Sequence, residues 1–227
     1  MCGRFTMRSS KKVLMDTFRL ESAPELPLRY NVAPTQPVAT VRQSAETSGR
    51  ELALMRWGLI PAWAKEASVG NRLINARAET VADKPAFRNA FRQRRCLIIA
   101  DGFYEWCKRE KSKQAYLIHR PDDAPFAFAG LWEKWRDPEG QTVQSCSIIT
   151  TDANAMMRPL HDRMPVILRR DEYDCWLDPA YHDRHRLLEL LRPCPEDGLS
   201  LTAVGSRVNN ARNEGPECVE PARDQLF

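Results

Sequence analysis

The recurrence of short apolar runs between turn-forming residues constrains the fold of this chain most. Eight runs of five to seven residues have the length and composition of β-strands; they lie at 37–41, 51–57, 96–100, 115–119, 126–132, 145–150, 164–168 and 201–205. Few helical segments separate them, which favours a mostly antiparallel α+β fold, a twisted sheet with peripheral helices, over a doubly wound parallel sheet.

Helical patterns are fewer and shorter. Residues 9–20 begin with serine, which favours the N-cap position, and continue with apolar side chains at helical spacing. Pro179 and Pro193 frame a second helix at 183–192. Two further helices are predicted near 83–94 and 171–177.

Length and hydrophobicity indicate one globular domain. The 227 residues are 43% hydrophobic and 28% charged, which predicts a single domain over 1–227 with a core at about 2–220. The longest apolar runs are far shorter than the roughly 20 residues that span a bilayer, and no secretory signal is recognisable. We therefore expect a cytoplasmic protein with no membrane partner, and a monomer.

Cysteine spacing and the absence of nucleotide-binding motifs limit the cofactors that can be expected. The seven cysteines are odd in number and form no Cys-x-x-Cys pair, which argues against a disulfide framework or a zinc site. The sequence has neither a dinucleotide-binding fingerprint nor a P-loop. We expect no metal and no other cofactor. Of the 34 basic residues 26 are arginine, so the composition permits a nucleic-acid partner without requiring one.

The chain begins Met-Cys-Gly-Arg-Phe, and Cys2 is its most unusual residue. If Met1 is removed, Cys2 presents a thiol and a free α-amine on adjacent carbons. An α-amine with a pKa of about 7.7–8.0 is partly unprotonated near neutral pH and attacks aldehydes. Loss of water gives a Schiff base, and the thiol then adds to the imine carbon to close a thiazolidine ring.

Polar groups concentrate at the ends of predicted strands and in turns, where scaffolds place functional side chains; these stretches are 29–36, 56–64, 74–80, 100–106 and 160–168. Taken singly, each has a structural explanation. Asn75 is explained as a turn cap, Glu105 as the partner of a surface arginine, and His161 as a hydrogen-bonded core histidine.

Together with the N-terminus, these stretches resemble the SOS-response-associated peptidase family, whose members crosslink to abasic sites in single-stranded DNA. The matching positions are Cys2, Asn75, Glu105 and His161, and the resemblance runs from Met1 to about residue 220. It implies the family's open-barrel fold, single-stranded DNA containing abasic sites as the partner, and association with the nucleoid during DNA damage.

The resemblance also implies a role for each reactive residue. Glu105 would exchange protons with the amine and the departing hydroxyl, and His161 would protonate the sugar oxygen to favour the open aldehyde. Asn75 would orient the N-terminus and the sugar. It further implies that the chain removes its own Met1, a peptidase activity, although a housekeeping aminopeptidase could do this equally well because the second residue is small. Because the reverse pathway uses the same groups, we also expect the crosslink to be reversible, a lyase-type activity.

A set of DNA-binding residues follows from the same resemblance: Gly3, Arg4, Pro34, Trp63, Arg77, Trp106, Thr150 and Arg163. The three arginines are expected to contact phosphates, and Gly3 to let the backbone approach closely. Pro34 and Trp63 would separate or stack the flanking bases. For Trp106, core packing and DNA contact both stay open, and Thr150 is expected to contact a sugar or phosphate.

One position departs from the family pattern. Family members often have paired tryptophans in this region, whereas Trp63 is followed by Ala64. A single tryptophan offers less stacking surface for a particular DNA junction.

Three other functions fit parts of the sequence. Class II glutamine amidotransferases also begin Met-Cys-Gly and use the freed cysteine as a nucleophile, but this chain shows no acceptor domain. A noncovalent single-stranded DNA binder would use the arginines and tryptophans and leave Asn75, Glu105 and His161 unexplained. A papain-like protease would need a preorganised thiolate, for which a terminal cysteine is poorly placed.

Overall fold

The structure, a computed structural model, describes residues 2–44, 47, 49–108 and 113–222. The strands are β1 (Phe5–Met7), β2 (Arg29–Val32), β3 (Pro37–Gln43), β4 (Arg50–Trp57), β5 (Asn75–Arg77), β6 (Arg95–Ala100), β7 (Gly102–Lys108), β8 (Lys113–His119), β9 (Phe126–Arg136), β10 (Thr142–Asp152), β11 (Arg163–Pro165), β12 (Ile167–Leu168) and β13 (Ser200–Val204). The helices are α1 (Lys11–Phe18), α2 (Arg88–Gln93), α3 (Tyr173–Leu177) and α4 (Arg184–Glu189), with 3-10 turns at Ala67–Arg72, Arg170–Glu172, Glu196–Gly198, Ser206–Asn209 and Pro216–Cys218.

Five strands close into a barrel. β3 pairs with β4 and β6, β9 pairs with β6 and β10, and β10 pairs with β4 to complete the ring. The β4–β10 pairing is parallel and the other four are antiparallel. At the C-terminal end of β10, β5 pairs in parallel and β11 antiparallel. The prediction of a mostly antiparallel α+β fold is confirmed.

A second, fully antiparallel sheet of five strands has the order β13-β8-β7-β1-β2. It packs on the barrel through aromatic rings: Phe5 of β1 and Phe103 of β7 each meet Phe128 of β9, with ring centroids 5.8 and 6.0 Å apart. Burying these rings removes a large apolar area from water and fixes the two sheets against each other. Cys2, which packs in the same core as these rings, is therefore held between the two sheets.

Side chains of the barrel strands alternate between two cores, as the pleat requires. Cys96 and Ile98 pack with the second sheet, and Cys2 belongs to the same core. Leu97 and Ile99 point the other way and pack in the core that the helices cover. The strand β6 is consequently buried on both faces.

All four predicted helices are confirmed, each shorter than predicted. The side chain of Ser10 accepts the Val13 N–H and caps α1, while Asp183 caps α4 in the same way. The predicted helix at 171–177 is a 3-10 turn followed by α3. Among the described residues, no helix has the length and apolar character needed to cross a membrane.

The eight predicted strands are all present, but 164–168 is divided into β11 and β12. Four strands were not predicted: β1, β2, β5 and β7. The stretch 100–106 was singled out for its polar groups but not predicted as a strand, because β7 carries polar residues among its apolar ones and owes its pairing to β1 and β8 on either side. Long-range pairing overrode the local pattern.

Candidate active site

Cys2 lies just before β1 and is fully buried between the two sheets, with 0% of its surface exposed. Asn75, at the start of β5, donates a hydrogen bond from Nδ2 to the Cys2 carbonyl oxygen at 2.9 Å. β5 is aligned by its parallel pairing with β10, where Ile148 lies opposite Asn75. The barrel thus fixes the position of the chain's second residue.

The other half of the Asn75 amide is available for a ligand. Its Oδ1 is buried and accepts no hydrogen bond from any described residue. A buried acceptor without a donor costs free energy, so it favours a group that brings an N–H or O–H to this point. The amide can hold the Cys2 carbonyl and accept from a second group at once.

Glu105 lies beside Cys2. Tyr104 N–H donates to Arg4 O at 2.9 Å in the β1–β7 ladder, and Glu105 follows on β7 next to the N-terminal end of β1. Only 5% of Glu105 is exposed, and this burial raises the pKa of its carboxyl to about 7. Near neutral pH the group is therefore close to half protonated and can give or take a proton.

The Cys2 thiol is uncharged at neutral pH. Burial raises its pKa well above the ordinary value, and the nearby Glu105 carboxylate raises it further. The thiol must therefore lose its proton during ring closure, and the Glu105 carboxylate, which is close enough to raise the pKa of the thiol, can act as the base.

His161 lies in the turn between β10 and β11 with a third of its side chain exposed. Burial lowers the pKa of the imidazole, and the Arg163 charge lowers it further. Its Nδ1 accepts the backbone N–H of Arg163 at 3.0 Å and lies 2.6 Å from Asp162 Oδ1. We favour the Arg163 contact, because that N–H is fixed while the Asp162 side chain is 86% exposed to water. The neutral ring then carries its proton on Nε2.

The Arg163 side chain is engaged by acidic residues. Its guanidinium forms a two-pronged ion pair with Glu79 at 2.8 and 2.9 Å, and it also binds Asp152 and the Thr150 carbonyl. The side chain is only 11% exposed. A phosphate reaching Arg163 would have to displace one of these carboxylates.

Arg4 and Trp106 form a second cluster. Arg4 Nη1 donates to Asn31 Oδ1 at 2.6 Å and to the Val208 carbonyl at 2.9 Å. Its guanidinium carbon lies 5.7 Å from the Trp106 ring centroid, a cation–π contact. Trp106 Nε1 donates to Asn209 Oδ1 at 2.7 Å. Trp106 is partly exposed, so its two predicted roles, packing and DNA contact, are compatible.

The residues predicted to meet bases and phosphates differ in exposure. Trp63 is 64% exposed and Arg77 is exposed, whereas Pro34 is half-buried. Ala64 is buried and its carbonyl accepts a 2.7 Å hydrogen bond from Trp135 Nε1. The position after Trp63 therefore faces the core, and an exposed second wedge could not stand there without a change in the loop.

Thr150 is fully buried, and its hydroxyl lies 3.4 Å from the Ala76 carbonyl oxygen. Gly3 is half-buried where the chain enters β1. Met1 lies outside the described residues. Two partners of Arg4 were not predicted from the sequence: Asn31, and the segment 206–214 near the far end of the chain. The stretch 29–36 that contains Asn31 was singled out, yet nothing in it predicted a contact with residues about 180 positions away.

The fold and the site define an α+β protein, a closed barrel joined to an antiparallel sheet, whose candidate active centre is built around its second residue. A model of the family described as SOS response associated peptidase (SRAP) matches residues 1–211, and the chain belongs to this family.

Relatives and solved structures agree with this membership. The chain is 42% identical over 224 residues to the abasic site processing protein YoqW of Bacillus subtilis (strain 168), covering 97% of this chain and 99% of that one. It is 35% identical over 201 residues to the abasic site processing protein HMCES of Xenopus tropicalis, covering 78% of this chain and 59% of that one. A solved structure of a protein from Bacteroides thetaiotaomicron is similar with a TM-score of 0.86 and 26% identity, over 98% of this chain and 100% of that one.

Proposed function

We propose that this protein processes abasic sites in single-stranded DNA by capturing them covalently through Cys2 once Met1 is removed. The observation that carries the proposal is the setting of Cys2. Asn75 holds its carbonyl at 2.9 Å, and Glu105, with a pKa raised to about 7, lies beside it. A fixed N-terminus and an acid–base group that titrates near neutral pH are what imine chemistry needs. The names of the relatives, abasic site processing proteins, agree with this assignment.

The reaction balances without a metal or other cofactor. The unprotonated Cys2 amine adds to the aldehyde carbon of the ring-opened deoxyribose, the C=O π bond breaks, and one amine proton passes to the oxygen. Protonated Glu105 then donates a proton to this hydroxyl, which leaves as water and gives a protonated imine. Glu105, now a carboxylate, takes the proton of the Cys2 thiol as the sulfur bonds to the imine carbon and the C=N π pair returns to nitrogen. The product is a thiazolidine, with the mass of protein plus DNA less one water.

The remaining site residues bind and orient the DNA. His161, with its proton on Nε2, donates to the sugar oxygen and favours the open aldehyde, and Asn75 Oδ1 accepts from the reacting amine. Arg4 and Arg77 contact phosphates, with Gly3 allowing close approach, while Pro34, Trp63 and Trp106 contact bases.

Two buried positions act at the same end of β10. Arg163 contacts a phosphate when the phosphate displaces the Glu79 or the Asp152 carboxylate from its guanidinium. Thr150, fully buried in the free protein, contacts a sugar or phosphate only if the strands around it separate slightly.

Two further activities complete the proposal. The same groups run the reaction backwards, because Glu105 can return the proton it took and water can attack the imine, so the crosslink is reversible. Met1 is removed by the protein itself: water hydrolyses the Met1–Cys2 peptide bond, which releases methionine and frees the Cys2 amine, with Glu105 and the Cys2 thiol as the groups that assist. Protein made with Glu105→Gln should then retain Met1, which intact mass spectrometry detects.

The test is to mix protein that lacks Met1 with a single-stranded oligonucleotide carrying one abasic site. The mixture is analysed by denaturing electrophoresis and intact mass spectrometry. Wild-type protein should give an adduct of protein plus DNA less one water that survives denaturant and high salt. Cys2→Ala should give no stable adduct, whereas Cys107→Ala, the same change at a partly exposed thiol, should react like wild type.

Other outcomes point to other functions. A wild-type protein that lacks Met1 and still forms no adduct would refute covalent capture. Binding to intact single strands that high salt abolishes would then indicate a noncovalent binder. Release of ammonia from glutamine would indicate an amidotransferase.

A further inference from the structure

The segment 206–214, hereafter the C-terminal loop, packs directly on two residues of the candidate DNA-binding site. The Val208 carbonyl accepts from Arg4 Nη1 at 2.9 Å, and Asn209 Oδ1 accepts from Trp106 Nε1 at 2.7 Å. Val208 itself is fully buried. The loop is therefore part of the wall of the site, although it lies about 200 residues from Arg4 in sequence.

The loop is held by asparagine side chains and backbone atoms. Asn31, 1% exposed, donates from Nδ2 to the carbonyls of Asn210 at 3.0 Å and Asn213 at 2.8 Å. Asn213 Nδ2 in turn donates to the Arg207 carbonyl at 2.7 Å. None of these bonds uses an arginine side chain of the loop, so its shape is independent of those guanidinium groups.

The C-terminal loop carries a net positive charge on exposed side chains. Arg207 and Arg212 are both exposed, and within the described ranges neither has a carboxylate within 4.0 Å. The loop's one acidic residue, Glu214, is already neutralised, because it pairs with Arg29 Nε at 2.9 Å and accepts the Tyr30 N–H. Two guanidinium groups without an internal carboxylate partner thus belong to the same short loop whose Val208 carbonyl and Asn209 side chain contact Arg4 and Trp106.

We propose that Arg207 and Arg212 bind the phosphates of the single strand that flanks the captured site, which makes the C-terminal loop part of the DNA-binding surface around Arg4 and Trp106. This inference rests on the proposed function for the identity of the ligand. A guanidinium that has no internal carboxylate partner loses little on binding a phosphate, unlike Arg163, which must give up an ion pair. The asparagine anchors fix the backbone of the loop that carries both arginines, next to Arg4 and Trp106.

The test compares two double variants that remove equal charge. Arg207→Gln/Arg212→Gln removes the proposed contacts and leaves the loop's hydrogen bonds in place. Arg88→Gln/Arg92→Gln is the matched control, because both residues are exposed on α2, on the helix-covered side of the barrel. Binding of a labelled single strand without an abasic site is measured by fluorescence anisotropy over a range of salt concentrations.

Two lost phosphate contacts should reduce the slope of log K against log salt by about 1.4, at about 0.7 per contact on single strands. The control pair should leave the slope at the wild-type value, and both variants should still crosslink at saturating abasic DNA. An unchanged slope in Arg207→Gln/Arg212→Gln, or an equal loss in both variants, overturns the proposal. If wild type crosslinks but the slopes agree, only this inference fails; if wild type forms no adduct, the proposed function fails instead.

Discussion

Replacing Glu105 with glutamine should stabilise the protein at high pH and leave its stability nearly unchanged at low pH. The carboxyl is 5% exposed, and burial raises its pKa from 4.5 to about 7. The folded protein therefore holds a proton that the unfolded chain releases as the pH rises from 4.5 to about 7. Between these two pH values the folded state binds more protons than the unfolded chain does. The free energy of unfolding therefore falls as the pH rises.

The size of the effect follows from the same two pKa values. A pKa difference between 4.5 and about 7 corresponds to about 3 kcal/mol of lost stability when both states are ionised. The loss is absent below pH 4.5, grows through the window and is complete above about pH 7. Glutamine keeps the shape of the side chain without ionising, so the variant escapes this loss.

The assay is urea unfolding of wild type and Glu105→Gln at pH 4 and pH 8. The stability of the variant relative to wild type should rise by about 3 kcal/mol between the two, with similar denaturant slopes. Asp122→Asn is the control, because its pKa of about 2 and its ordinary value of 3.8 both lie below the range tested. A Glu105→Gln difference that stays constant from pH 4 to pH 8 would refute the reasoning that burial holds the proton.

Three other changes test separate parts of the structure. Asn75→Asp replaces the donor on the Cys2 carbonyl with an acceptor, and should slow adduct formation about tenfold or more in a timed crosslinking gel, since a lost buried hydrogen bond costs about 1–3 kcal/mol. Arg95→Lys should lower the free energy of unfolding in urea by about 3 kcal/mol, because Arg95 is 3% exposed and its fork serves five backbone carbonyls that lysine cannot reach together. Single-strand binding by folded Arg95→Lys should be normal. Gly70→Ala should lower the urea midpoint because its Cβ would lie 2.5 Å from a backbone oxygen, whereas Gly205→Ala, with nothing within 4 Å, should not.

The fold was predictable where a segment's own residues carry the signal. The apolar run 96–100 becomes β6, a strand buried on both faces, and 201–205 coincides with β13 to within one residue at each end. β5 and β7 were missed because their sequences are mixed in polarity. They are strands because of their pairing partners: β5 pairs with the C-terminal part of β10, and β7 pairs with β1 on one side and β8 on the other.

For the candidate site too, the identity of the residues was predicted from the sequence, whereas their contacts are seen only in the structure. The sequence identified Cys2, Asn75, Glu105 and His161 as a set, by the chemistry of an N-terminal cysteine and by resemblance to a family. Asn75 contacts Cys2 in the structure, and the charge of Glu105 raises the pKa of the Cys2 thiol. The roles assigned to these residues in catalysis remain predictions.

The sequence by itself determined which reactive groups this protein can present, because removal of Met1 would place a thiol and a free α-amine on one residue, Cys2. Only the tertiary structure decided their state. The burial of Cys2, the raised pKa of Glu105 and the ion pairs of Arg163 all depend on residues far apart in sequence. Solvation and charge are properties of a three-dimensional neighbourhood, so they exist only after the barrel and the second sheet have packed together.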